Sequence, residues 1–211
     1  MTILLLIGSA SASAATSTVA FSTCSDAPAY GCGHLIVPLD PSGVIPGTVT
    51  LSIRRKLAAT GTASDAVIAL AGGPGQAALP FATDAAQIMA GALSTNDLVV
   101  FDQRGTGDSG ALKCTAFDNL NAPLGSIIPN CAEALGATRG LYTTDDSVYD
   151  IEQIREALGY SKLVLYGTSY GTKVALRYAA EYPQNVAGLV RDSTVPPDGP
   201  DIFDQSSYAA V

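Results

Sequence analysis

Positive charge is scarce in this sequence of 211 residues, which has 11 lysines and arginines against 19 aspartates and glutamates. The net charge is −8, and no cationic cluster stands out beyond residues 54–56, so there is no positive field to attract a phosphate backbone. We therefore expect no nucleic-acid partner. Charged residues make up only 14% of the chain and apolar residues 47%, a composition typical of a folded protein.

Histidine is almost absent, and the four cysteines include no C-x-x-C pair. The single histidine, His34, does not complete a familiar zinc set by spacing, and we expect neither a metal nor another cofactor. Four cysteines allow three disulfide connectivities. Pairing Cys24 with Cys32 and Cys114 with Cys131 would close two short loops, and disulfides indicate an oxidising compartment.

The N-terminus has no apolar run near the roughly 20 residues that a membrane-spanning helix needs, so we expect no stable membrane span. Residues 3–7 are apolar and precede small residues with A-x-A cleavage sites, which resembles a secretory signal without its positive n-region. We predict a signal-peptide-like segment at 1–20, one folded domain at 21–211, and a secreted or periplasmic location. An apolar N-terminus on a cytosolic protein is the alternative.

Strand patterns alternate with helix patterns along the chain. Apolar alternation or short apolar runs predict strands, and apolar residues at helical spacing predict helices. This alternation predicts an α/β fold with a mostly parallel sheet, helices on both faces, and reactive groups at the carboxyl ends of the strands. The predicted strands are 48–56, 66–70, 97–101, 162–166 and 186–190, and the predicted helices are 80–93, 143–159 and 170–182.

A G-x-S-x-G motif lies between a predicted strand and a predicted helix. Gly167 and Gly171 flank Ser169, which is the context that a nucleophile elbow requires. Glycine is needed there because the turn brings backbone segments too close for a Cβ atom. We predict that Ser169 is a nucleophile and that the amide of Tyr170 faces the oxyanion at the helix N-terminus. An ordinary glycine-bounded turn is the alternative.

Two further loops follow predicted strands. The segment "AGGPG" at 71–75 could present the Gly73 amide as a second oxyanion donor, although the same letters also suit a plain loop. The segment "GTGDSG" at 105–110 satisfies the dinucleotide pattern G-x-G-x-x-G, but no convincing helix follows it to seat a pyrophosphate. We instead expect Asp102 and Arg104 to form a buried pair that braces this loop.

The ordered motifs "GGPG", "DQRGTGDS" and "GTSYGT" resemble the prolyl iminopeptidase and tripeptidyl aminopeptidase group of α/β-hydrolases, over about residues 24–205. The resemblance implies acyl transfer on a peptide or a small ester or amide, with Ser169 as nucleophile and the Gly73 and Tyr170 amides as the oxyanion hole. Family members usually carry histidine where this sequence has Ala71, a change that leaves the backbone role untouched.

The sequence contains no histidine after Ser169, although this fold places the acid and then the histidine after the serine. His34 is on the wrong side of the motif, and Asp192 is expected to brace a loop. Asp198 and Asp201 are expected to be solvated. We therefore expect the N-terminal portion of a serine hydrolase, an aminopeptidase-type peptidase, without lid and last strands and nearly inactive alone. The alternatives are a non-catalytic binding or regulatory remnant of the fold and an esterase-type hydrolase.

Overall fold

The computed structural model describes residues 18–115 and 123–198. Most of the predicted signal segment at 1–20 and all of Asp201 lie outside these ranges. None of the helices within them has the length and apolar character required to span a bilayer. The strands are Ser22–Thr23 (β1), Gly31–Pro38 (β2), Thr48–Lys56 (β3), Ala66–Leu70 (β4), Asp97–Phe101 (β5), Leu163–Thr168 (β6) and Val186–Asp192 (β7), and the α-helices are Ala82–Ile88 (α1), Leu124–Leu135 (α2), Thr144–Leu158 (α3) and Tyr170–Glu181 (α4).

The seven strands form one sheet in the order β1-β2-β3-β5-β4-β6-β7. The pairs from β1 to β5 are antiparallel, and the pairs β5-β4, β4-β6 and β6-β7 are parallel. The predicted α/β fold is thus confirmed, with a sheet that is mixed overall and parallel in one half. The carboxyl ends of β4, β5, β6 and β7 meet at one edge, as the parallel pairing requires.

Helices cover both faces of the sheet, as predicted. On one face, α3 and α4 pack through Ile151 and Val174 against strand residues such as Ile68. On the other face, α1 packs through Ala85 against a second cluster that includes Val100. Every residue of β4 and β5 is buried, which explains why these two strands read as continuous apolar runs.

Helix α3 begins where its sequence signals predict. Thr143 forms a capping box with Asp146, in which each side chain accepts a hydrogen bond from the other residue's backbone amide. Gly159 ends the helix in a left-handed conformation with φ 73°. The start of this helix lies beside the start of α4, since the Thr144 hydroxyl lies 2.8 Å from the Tyr170 hydroxyl.

Two disulfides hold segments outside the central strands. They join Cys24 to Cys32 and Cys114 to Cys131, which is the connectivity with two local loops among the three connectivities that four cysteines allow. The first disulfide ties the segment before β2 to β2 itself. The second ties the loop after β5 to α2, a helix that the sequence patterns did not predict.

Candidate active site

A tight turn at Ser169 joins β6 to α4. Ser169 is half-buried and has φ 52° and ψ −119°, a left-handed conformation that few non-glycine residues adopt. A Cβ on Gly167 would lie 2.5 Å from the carbonyl oxygen of Gly171, and a Cβ on Gly171 would overlap the carbonyl oxygen of Leu70. Both flanking positions therefore require glycine, which is the close packing that an elbow geometry needs.

The loop after β4 lies against this turn. A Cβ on Gly72 would lie 3.1 Å from the Ser169 Cβ and 3.7 Å from its Oγ, so the loop backbone passes directly beside the hydroxyl. Gly73 follows with φ +107° and is exposed. Tyr170 is the first residue of α4, so its amide lies at the positive end of the helix dipole. The structure brings Gly73, Ser169 and Tyr170 to one edge of the sheet, and the oxyanion role of the two amides stays a prediction.

The last residue of β7 and the residues after it hold the turn from its other side. The Ser169 amide donates to the Asp192 carbonyl oxygen at 2.8 Å. The buried Thr172 hydroxyl donates to the Ser169 carbonyl oxygen at 2.7 Å and accepts from the Val195 amide at 2.7 Å. These bonds tie the end of β7 to the first turn of α4 and fix the backbone on both sides of Ser169. The Asp192 carboxylate accepts from the Ser193 hydroxyl at 3.0 Å, a bond between neighbouring residues at the end of β7. The Asp192 side chain is thus bonded to its own loop.

Asp102 braces the loops beside the turn through backbone amides. Its Oδ1 accepts from the amides of Ala78 and Leu79 at 2.6 and 2.9 Å, and its Oδ2 accepts from the amide of Asp108 at 2.8 Å. The carboxylate is 1% exposed and fills the space beside Gly107, where a Cβ would overlap it. Asp102 therefore joins the loop after β4 to the loop after β5.

The expected pair between Asp102 and Arg104 is wrong, because Arg104 bonds to Asp150 of α3. The guanidinium is 0% exposed and donates from Nε and Nη2 to the two Asp150 oxygens at 2.8 and 2.6 Å. It also donates to the carbonyl oxygens of Leu39, Leu141 and Pro38. Arg104 thus links β2, α3 and the loop after β5, while Asp102 is satisfied by amides alone.

Burial raises the pKa of the Asp150 carboxyl to about 6, although the hydrogen bonds and charge of Arg104 act in the opposite direction. Sequence reasoning missed Asp150. Asp150 is three residues after Ser147 and directly before Ile151, so helical periodicity places it on the buried side of α3. This periodicity was the available signal. An acid at such a position needs a buried partner, and the partner is Arg104.

His34 lies far from Ser169 in the sheet. It is exposed on β2, and its Nδ1 lies 3.3 Å from the Ser52 hydroxyl. Three strands separate β2 from β6, which corresponds to about 19 Å at the usual strand spacing. His34 therefore cannot contact the Ser169 hydroxyl. Asp198 is exposed and lies 3.8 Å from Arg177, consistent with the expected solvated charge.

The loop at 105–110 does not have the arrangement that a dinucleotide site needs. Its residues form successive turns, and residues 111–114 directly after it form no helix. The Gly105 amide donates to the Ser109 carbonyl oxygen at 3.0 Å, so the loop closes on itself. The glycines here serve the turn and the close approach of Asp102.

Residues 65–209 match the alpha/beta hydrolase fold family. The chain is 30% identical over 201 residues to the tripeptidyl aminopeptidase of Streptomyces lividans, covering 83% of this chain and 37% of that protein. It is 36% identical over 129 residues to the proline iminopeptidase of Neisseria gonorrhoeae, covering 59% of this chain and 31% of that protein. A mutant epoxide hydrolase of Vigna radiata matches with a TM-score of 0.50 at 19% identity, covering 78% of this chain and 39% of that chain.

This chain belongs to the alpha/beta hydrolase fold family. The resemblance to tripeptidyl aminopeptidases and proline iminopeptidases is confirmed by two of its relatives. The epoxide hydrolase supports the fold alone, because its sequence identity is low. The chain spans well under half the length of these relatives.

Proposed function

We propose that this chain carries the nucleophile and oxyanion hole of a serine peptidase of the aminopeptidase type. The observation that carries the proposal is the left-handed turn at Ser169, packed between Gly167 and Gly171 with the loop of Gly72 beside its hydroxyl. Such a turn places a serine hydroxyl where backbone amides from two loops can stabilise a tetrahedral intermediate. The peptidase names of the relatives favour peptides over other acyl substrates.

Proton transfer is the step for which the sequence offers no histidine after Ser169. A serine hydroxyl needs an adjacent base, usually histidine held by a carboxylate, and His34 is the single histidine of the sequence. We propose that the acid and the base belong to polypeptide outside these 211 residues. Loss of a triad histidine lowers kcat by about 10⁶, so the chain alone should be nearly inactive, with about 10³–10⁴ over water left.

A fluorophosphonate probe tests this proposal because it modifies activated serines. We expect slow labelling of the 211-residue chain that disappears in Ser169→Ala and persists in Ser161→Ala, a matched change at an exposed serine. Labelling should accelerate when the remaining segment of the Streptomyces lividans relative is supplied in trans. Absence of Ser169 labelling under both conditions would contradict the proposal and favour a non-catalytic binding protein.

We also propose that the protein acts in an oxidising compartment outside the cytoplasm. The two disulfides support this location, because cytosolic thiols are normally kept reduced. Expression with and without export to the bacterial periplasm, followed by thiol quantification, tests it. Equal disulfide formation and equal yield in both compartments would contradict it.

A further inference from the structure

A cavity of about 220 Å³ lies beside the turn at Ser169. Pro74 and Gly75, which directly follow Gly73 in the loop after β4, form one wall. Tyr170, the residue after the proposed nucleophile, forms another. The volume is several times the roughly 30 Å³ share of one water molecule in the liquid. Its lining includes Gly75, Gln103, Arg104, Ser147 and Tyr170.

Two polar side chains of this lining have no hydrogen-bond partner among the described residues. Gln103 is 6% exposed and Ser147 is 5% exposed, yet neither the carboxamide nor the hydroxyl bonds to another group in these ranges. Both groups remain accessible to solvent. Among the described residues, Arg54 Nε is the one side-chain atom that is both fully buried and without a hydrogen-bond partner. Buried polar side chains are nearly always satisfied, so these two groups are satisfied from the cavity, either by water or by a polar ligand that replaces it.

The occupant is expected to be neutral. Arg104 is the one cation in the lining, and its five N–H groups are already donated to Asp150 and to three carbonyl oxygens. No donor is left on it for a carboxylate or a phosphate. A glutamine carboxamide can donate and accept at once, which is the pattern that a peptide unit presents.

We propose that this cavity is a subsite for a neutral peptide unit of the substrate, held by the Gln103 carboxamide and the Ser147 hydroxyl. The inference rests on the proposed peptidase function, because the cavity is placed next to the scissile bond only if Ser169 is the nucleophile. Gly75 and Tyr170, which line this cavity, are two residues from Gly73 and one residue from Ser169 in the sequence. Gln103 is thus a specificity-determining residue that favours peptides over simple esters, which lack the second amide.

Binding of N-acetyl-trialanine amide to the Ser169→Ala chain, followed by NMR titration, tests the subsite without any chemistry. Gln103→Met keeps the side-chain length and removes both polar atoms, and we expect binding about five- to tenfold weaker. Gln87→Met is the matched control, because Gln87 is exposed on α1, and it should bind as the parent does. If Gln103→Met does not fold, Ser147→Ala should still weaken binding by a factor of about five.

Each outcome separates the two proposals. Equal affinity in the parent and the Gln103 variant overturns the subsite, and so does a failure of the peptide to bind, which would mean that the cavity holds water only. Peptide binding that depends on Gln103, without fluorophosphonate labelling of Ser169, overturns the catalytic proposal and leaves the subsite in place. Labelling of Ser169, together with peptide binding that is the same in the parent and in Gln103→Met, overturns the subsite alone.

Discussion

Replacing Arg104 with methionine should destabilise the fold strongly and in a pH-dependent way. The substitution keeps most of the aliphatic length and removes the charge that faces Asp150, whose side chain is 0% exposed. It also removes the donors to the carbonyl oxygens of Leu39 and Leu141, at 2.8 and 2.9 Å. One buried carboxylate and three carbonyl groups, the third being that of Pro38, thus lose hydrogen-bond partners in a single change.

Breaking a buried ion pair from one side usually costs about 3–5 kcal/mol in the free energy of unfolding, because a charge is left without compensation. The unpaired carbonyls should bring the loss toward the upper end of this range. The pKa of Asp150 is already raised to about 6 by burial, and without Arg104 it should rise further. Because an acid with a raised folded-state pKa loses stability as pH rises, the gap to the parent should widen above pH 6, by up to about 1.4 kcal/mol per pH unit.

Urea unfolding at pH 5 and pH 8 measures both effects. Arg177→Met is the matched control, since Arg177 forms an exposed ion pair with Asp145 at 2.8 Å, and surface pairs contribute little. The control should unfold as the parent does at both pH values. An Arg104→Met loss that matches the control, or one that is the same at pH 5 and pH 8, would refute the assignment of a buried, charge-compensating role.

Two further predictions concern the elbow and the packing of α3 against α4. Gly171→Ala should lower the Tm by several degrees and abolish probe labelling, because its Cβ would overlap the backbone of Leu70. Gly91→Ala is the control: it has open space around it and should leave the Tm unchanged or slightly higher. Burial raises the pKa of Glu152, but hydrogen bonds from Arg155, Tyr178 and Asn185 outweigh it and lower the pKa below its ordinary 4.5. Its contribution is therefore present above pH 4.5 and is lost as pH falls, so Glu152→Gln should lower the Tm at pH 7 with a deficit that shrinks below pH 4.5.

The sequence predicts the local features of the site well, because each has a short-range signal. The strand, the Gly167–Gly171 motif and the following helix are adjacent in the chain, and the structure has them as β6, the turn and α4. The capping box at the start of α3, from Thr143 to Asp146, is likewise a four-residue pattern. These features depend on steric limits and capping bonds that act within a few residues.

Long-range partners are less accessible to such reasoning. Arg104 and Asp102 are two residues apart, which suggests a pair, yet the structure sends their side chains to different elements. The correct partner, Asp150, lies 46 positions away. Helix α2 was missed because Pro129 lies within it and its sequence context is dominated by small and turn-forming residues. In the antiparallel half of the sheet, β3 pairs with β5, which is not the next strand in the chain, and apolar alternation does not specify this pairing.

The geometry at Ser169 and the chemistry at Ser169 depend on different parts of the protein. A left-handed serine costs about 1–3 kcal/mol and persists only where its surroundings hold it. Here the holding contacts come from Gly72, Thr172 and the carbonyl of Asp192, all within the described residues. None of them involves an acid or a base that transfers a proton. The elbow should therefore form in the 211-residue chain by itself, and its reactivity should rise when a base is supplied, without any rearrangement of the turn.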